Sequence, residues 1–223
     1  TRRSSDLYPF GRGGFEVSKL EEATAKRYLP AAELSKLKSA TANNPQCEYA
    51  RKLFLFSYYC YGISFIDMAM LTAAHIKQME DGDYIVYKRQ KIKRQKGVKP
   101  ISIKITPAIR QLIESLQAAS PTVDDFLLPV VTRSGYTGER LYMHIRTRYS
   151  KYQKYLRLLA EELGIDFHLT SYVSRHTAAM TLQRNHIPRE VISQMLGHAD
   201  LETTNVYLDS FDNGVINEAA KVL

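Results

Sequence analysis

The stretch LGHADLETTNVYL, residues 196–208, decides the reading of this chain. Gly197 follows an amphipathic run from Pro188 to Leu196 and is placed to cap it, because glycine enters the left-handed backbone region at little cost. A further helix is expected over residues 201–208, so His198 lies at a helix end and Tyr207 within the next helix. Upstream, LTSYVSRHTAA at residues 169–179 opens a helix expected over residues 170–183, with Arg175 inside it. His176 must project in a different direction from Arg175 and reads as packed or hydrogen-bonded structure.

Working outward, the pattern turns helical from Pro30, first through Leu34 and Leu37, then in an apolar stretch at residues 50–71 interrupted near Gly62. Two buried helices joined by a turn at residues 61–64 fit this best. Between Asp83 and Lys104 the period becomes two. Ile85 and Tyr87 share one face, and Val98, Ile101, Ile103 and Ile105 supply a second strand broken by Pro100, which predicts a β-hairpin. Thr106 and Pro107 give an N-cap and a first-turn proline before the helix face of Ile109, Leu112, Ile113 and Leu116, ending near Ser120 and Pro121. A helix over residues 144–163 turns Ile145, Tyr149, Tyr152, Leu156, Leu159 and Leu163 inward, keeps a basic outer face and is capped by Gly164. A last helix is expected over residues 213–222. The fold class is α+β, mainly α-helical, with a small antiparallel β-sheet. Residues 1–29, rich in glycine and charge, read as a linker arm, residues 30–210 as one domain, and residues 211–223 as a C-terminal helix or tail.

At 223 residues and 44% apolar, the chain buries one substantial core. No apolar run approaches the roughly 20 residues needed to span a bilayer, and no signal-peptide layout opens the chain, so a soluble cytoplasmic protein with no membrane partner is expected. Cys47 and Cys60 lack metal-ligand spacing and read as reduced core thiols. The net charge of +8 favours a polyanion, with nucleic acid and an anionic membrane surface both open on charge alone. The charge is concentrated: Lys88, Arg89, Lys91, Lys93, Arg94, Lys96, Lys99 and Lys104 lie in the hairpin with no acidic residue from 88 to 104. A solvated edge that discourages sheet aggregation needs fewer lysines than this, so the hairpin is read as facing phosphates, with Lys88, Arg89, Lys93, Arg94 and Lys96 as DNA contacts. Such contacts position DNA without reading its sequence.

The residues 196–208, with His198 and Tyr207 at their spacing, closely resemble the C-terminal signature of tyrosine recombinases, and residues 169–179 resemble that family's helix bearing its second active-site arginine, here Arg175. FLFSYYCYGISFIDMAML at residues 54–71 and YKRQK at residues 87–91 resemble integrases of Bacteroidetes mobile elements. The resemblance covers about residues 34–208 and implies the tyrosine recombinase catalytic-domain fold. It also implies core-binding domains ahead of this one, with Tyr8 to Phe10 resembling the link that follows them.

The chemistry that the resemblance implies is phosphodiester exchange. Tyr207 attacks phosphorus and expels the 5′-hydroxyl, leaving a 3′-phosphotyrosyl link that stores the bond energy for religation, so no ATP, metal or other cofactor is expected. With 15 tyrosines in the chain, only its place after His198 singles Tyr207 out. Arg175 clamps the non-bridging oxygens, His198 donates to the same phosphate, and Lys91 protonates the leaving oxygen. Lys93 and Arg94 lie close enough in sequence to be confused with it.

Two departures from the family pattern stand out. Tyr172 occupies a position usually histidine or lysine; a phenol donates one hydrogen bond but brings no charge. The first arginine is missing: its usual position aligns with Ser64, before the acidic Asp67, and relatives of the Bacteroidetes type often carry arginine where this chain has Tyr61. Arg51 and Lys52 are the nearest candidates in sequence to restore the clamp. Losing one preorganised donor costs roughly 10²–10³ in rate. Three functions therefore compete: an integrase that cuts and joins double-stranded DNA, a DNA-binding relative with weakened chemistry, and a topoisomerase-like relaxing enzyme. The apolar stripe of Val215, Ile216, Ala219, Ala220, Val222 and Leu223 resembles the segment by which recombinases dock on a neighbouring protomer, giving a homo-oligomer on DNA, as in a tetrameric synapse, and a monomer when free. Packing back on its own domain is equally open.

Overall fold

The computed structural model describes residues 28–93, 97–198 and 204. The centre of the molecule is helix α2, Pro45–Tyr59. Asn44 opens it by accepting a hydrogen bond from Gln46 N, and Pro45 sits where a missing N–H costs nothing. From Ala50 to Tyr58 every residue except Lys52 is buried, so α2 is apolar nearly all round and must be covered on several sides. Three helices cover it: α4 (Pro107–Ala119), α5 (Gly138–Glu162) and α6 (Ser171–Arg184). Helix α1 (Ala31–Ser39) adds Leu34 and Leu37 to the same core, and the short α3 (Phe65–Ala69) leans on α5.

A three-stranded antiparallel sheet lies beside these helices in the order β1 (Ile76–Met79), β2 (Gly82–Tyr87), β3 (Ile101–Lys104). The register pairs Ile85 with Ile103 and Tyr87 with Ile101, all four buried, while Ser102 and Lys104 face outward. Helix α7 (Arg189–Leu196) packs on β3 and on α6, where Ala179, Met180, Ile192 and Leu196 form a second, smaller core.

The expected α2–turn–α3 arrangement, the β2–β3 hairpin, α4, α6 and α7 are all present, and both cysteines are buried thiols. Four details differ. Strand β1 was not expected, because its pattern is one half-buried isoleucine followed by three exposed residues, with no alternation to detect. Val98 lies outside the second strand, which begins after Pro100, and Lys88, Arg89, Lys91, Lys93 and Lys99 occupy the connection between β2 and β3, not the strands. Helix α5 begins at Gly138 instead of residue 144, since its first turns are mostly exposed and carry no apolar stripe, and Tyr149 is 38% exposed instead of inward. Leu29, grouped by composition with the linker arm, is buried, and its N–H donates to Thr177 Oγ1 of α6 at 2.9 Å. The helices expected over residues 201–208 and 213–222 fall outside the described residues, apart from Thr204.

Candidate active site

Arg175 is a buried cation held by hydrogen bonds from two directions. It lies on the second turn of α6 and is 4% exposed. Its backbone meets the turn between α2 and α3 at Gly62, where φ is +72° and a Cβ would lie 2.4 Å from Arg175 Cα. Only glycine fits both the backbone angle and the contact. The guanidinium then reaches back: Nη1 donates to Gly62 O at 3.1 Å and Nη2 to Leu196 O at 2.5 Å. Nη2 also lies 2.8 Å from His198 Nε2. A guanidinium only donates, so Nε2 is the acceptor and Nδ1 carries the proton directed at Thr204 Oγ1, 2.7 Å away. Gly197, in the left-handed conformation at the end of α7, turns the chain so that Leu196 O and His198 both face the arginine.

Across from this pair, the buried Asp67 holds two segments together. Its Oδ2 accepts from Ser64 Oγ at 2.6 Å, and its Oδ1 accepts from Gln90 N at 2.7 Å in the connection after β2. Ser64 also caps α3. Beside Gln90, Arg89 donates from Nη1 to Gly197 O at 3.2 Å. Tyr87 closes β2 beneath them; burial pushes its phenol far up, and Asp67, Arg175, Cys60 and Arg89 lie near enough to act on it. Tyr61 has a left-handed backbone, φ +56°, and burial, with Cys60 and Tyr84 nearby, raises its phenol above the ordinary value.

Ser64, Arg89, Tyr172 and Arg175 line one cavity of about 450 Å³, with Phe65, Arg146 and Tyr149 completing an aromatic and cationic wall. Tyr149 donates to or accepts from Ser171 Oγ at 3.1 Å, at the start of α6. Tyr172 is 54% exposed, and its ring stands edge-on to His176, 5.1 Å between centroids. Burial and then the adjacent Arg175 charge hold the His176 imidazole below its ordinary value, which fits a structural histidine. Arg89, Arg146 and Arg175 thus bring guanidinium groups to a cavity whose wall is otherwise largely aromatic and apolar.

The structure thus brings together Arg175, His198, Tyr172, Ser64 and Arg89, the last expected from sequence as a DNA contact. Lys91, Lys88 and Lys93 are exposed on the connection after β2, with Lys93 Nζ donating to Gln90 Oε1 at 2.5 Å; none of the three lines the cavity. Arg51 does not restore the missing charge. It is buried in α2, forked onto Glu48 at 2.7 Å and donating to Leu37 O, and Lys52 also lies toward Glu48. Tyr207, Arg94 and Lys96 lie outside the described residues. Gly62, Arg146, Tyr149 and Thr204 were missed as site residues. Only the basic outer face of α5 signalled any of them, because closeness to Arg175 is a tertiary property.

Comparison with known proteins bears on the family. The family model described as the phage integrase family matches residues 27–213. Tyrosine recombinase XerD of Halalkalibacterium halodurans is 41% identical over 54 residues, 24% of this chain and 18% of that protein. Tyrosine recombinase XerD of Brucella abortus is 30% identical over 121 residues, 51% of this chain and 36% of that protein. The chain therefore spans well under half the length of these relatives. Among solved structures, the Tn1549 transposon integrase in complex with a circular intermediate DNA superposes with a TM-score of 0.64 at 12% identity, over 98% of this chain and 73% of that one. No described helix is long and apolar enough to cross a membrane. The fold around the Arg175–His198 pair, and a match that runs through both motifs, place this chain in the phage integrase family, the tyrosine recombinases.

Proposed function

We propose that this domain cuts and rejoins double-stranded DNA as a site-specific recombinase, with Tyr207 forming a 3′-phosphotyrosyl link. The observation that carries this reading is Arg175, held by Leu196 O and Gly62 O against His198 and lining a cavity that also takes in Ser64 and Tyr172. In the proposed reaction the Arg175 fork takes the non-bridging oxygens, whose charge grows as Tyr207 Oη bonds to phosphorus. The Tyr207 proton leaves to solvent, His198 takes up a proton at Nε2 and turns from the arginine to donate it in a hydrogen bond to the same phosphate, Tyr172 adds a neutral hydrogen bond, and Lys91 swings from its exposed turn to give the 5′-oxygen its proton. Lys88, Lys93, Arg94 and Lys96 hold flanking phosphates. The XerD relatives and the DNA-bound Tn1549 integrase support DNA as the partner, and the wording of residues 54–71 supports a mobile-element integrase of the Bacteroidetes kind. A cytoplasmic protein, monomeric when free and assembling into a homo-oligomer on DNA, follows from the same reading.

A second reading, a DNA-binding relative with weakened chemistry, is favoured by one observation: Ser64 and Tyr61 bring no charge, and Arg51 is spent on Glu48. The two separate on a pool of nicked suicide duplexes randomised around the nick. A covalent protein–DNA adduct on a denaturing gel, lost in Tyr207→Phe, is expected. An adduct that persists in Tyr207→Phe would falsify the nucleophile, and no adduct with either protein favours the second reading.

A further inference from the structure

Tyr149 is exposed and yet fixed. Its ring meets Phe65 at 5.3 Å between centroids, and Phe65 in turn stacks on the buried Tyr152 at 5.2 Å. Its hydroxyl accepts from Gln153 Nε2 at 3.1 Å and faces Ser171 Oγ, also at 3.1 Å. Gln153 Oε1 accepts from Ser171 N at 2.8 Å, so the three residues close a ring of hydrogen bonds between α5 and the first residue of α6. An exposed tyrosine is ordinarily free to change rotamer. This one is held from three sides with 38% of its surface still open.

Pinning α5 to α6 uses the hydroxyl and does not account for what surrounds the ring. Tyr142, 58% exposed, and Tyr172, 54% exposed, line the same cavity as Tyr149 and Arg175. Among the described residues, three of the six large apolar side chains left exposed thus gather at one cavity. Its volume of about 450 Å³ is far more than a phosphate group fills and lies in the range that takes a whole small organic molecule. Tyr142, Arg146 and Tyr149 are spaced four and three residues apart, which puts a cation between two phenol rings on one face of α5. Aromatic faces interleaved with guanidinium groups match a nucleotide, whose base stacks while its phosphates take the charge.

We propose that this cavity is a base-binding site, in which Tyr149 is the platform for the base next to the scissile phosphate once that base leaves the duplex stack. Tyr142 and Tyr172 stand at its edges, and Arg146 takes the next phosphate along the strand. The proposal rests on the phosphoryl-transfer reading above and deepens it. Every base has a π-face, so the platform works whatever the sequence at that position. Stacking on a ring that is already in place offsets part of the cost of unstacking from the duplex. Holding the base also holds the sugar that carries the scissile phosphate, which keeps phosphorus in position between cleavage and religation.

The test has two arms. In the first, the protein is titrated with 2-aminopurine deoxyribonucleoside 5′-monophosphate, whose fluorescence is quenched on stacking, and with deoxyribose 5-phosphate, which offers the phosphate without a base. The nucleotide should bind roughly 5- to 150-fold more tightly, the range that stacking on one aromatic ring supplies, and its fluorescence should fall. Tyr149→Leu should abolish both effects. Tyr149→Phe loses the same hydrogen bonds but keeps the ring, so it should retain the quenching with affinity lowered several-fold; the contrast reports the ring and not the tie between helices. Absence of quenching by the parent chain, equal affinity for the two probes, or identical behaviour of the two variants overturns the proposal. The second arm uses the suicide duplexes with the base pair next to the nick either matched or mismatched. A mismatch eases unstacking, so it should speed cleavage by the parent several-fold and leave Tyr149→Leu unaffected, whereas an equal gain in both sinks the base site. Because the first arm involves no cleavage, it decides even if Tyr207 forms no adduct.

Discussion

His176 titrates beside the reacting site without belonging to it, and its environment makes a pH prediction. Burial, reinforced by Arg175, lowers its folded-state value, so the unfolded chain binds this proton more readily. The associated stability is fully present above the ordinary histidine value of about 6.5 and is lost as pH falls below it. His144, lowered by burial and by Arg148, Arg133 and Lys151, acts with the same sign. Thermal melts of the parent chain should fall between pH 7.5 and 5.5, and His176→Gln should flatten part of that fall; an unchanged slope would remove the assignment. At this scale the sequence was legible wherever a motif carries chemistry, as at Arg175 and His198. It was silent where a role depends on what approaches from elsewhere. Nothing in the order of residues tells that Gly62 touches Arg175 or that Arg89 reaches Gly197, since their partners are 113 and 108 positions away.

Among the elements, the α2–α3 turn and the connection after β2 depend on one carboxylate. Asp67→Ala removes the acceptor of Ser64 Oγ and of Gln90 N, leaving polar groups unsatisfied at a cost of roughly 1–3 kcal/mol each. Urea unfolding should report that loss, and cleavage should slow beyond it because the connection that carries Lys91 is released; a variant as stable and as fast as the parent would refute the fastening role. Helix α2 and the β2–β3 pairing were readable because their apolar patterns are strong and long. Strand β1 and the first turns of α5 were not, since both are largely exposed and owe their conformation to hydrogen bonding with neighbours or to continuation of a helix already formed.

For the whole molecule, the surplus of positive charge should appear as salt dependence. Lys91 and Lys93 are both exposed on the same turn, yet they should behave differently once DNA is bound. Lys91→Ala should slow cleavage with modest loss of affinity, whereas Lys93→Ala should mainly weaken binding and reduce the slope of log affinity against log salt by up to about one. Binding titrations at several salt concentrations, run beside cleavage assays, check this, and matching behaviour of the two variants would remove the acid role from Lys91. The fold class and the surplus of positive charge were legible at this scale because composition and periodicity are whole-chain properties. Which cations meet in one cavity was not, because that depends on how the turn at Gly62, the connection after β2 and the end of α7 converge.

The bare contact between Gly62 and Arg175 has a consequence for how this protein tolerates change. Where a side chain separates two segments, every rotamer it samples alters their spacing; here the glycine main chain rests directly on the root of Arg175, and the spacing is fixed by van der Waals radii. Apolar exchanges deeper in α2 can therefore soften the fold without displacing the root of Arg175. Robustness and chemical competence should drift apart under mutation, leaving the lineage free to vary its interior while its reaction centre stays in register.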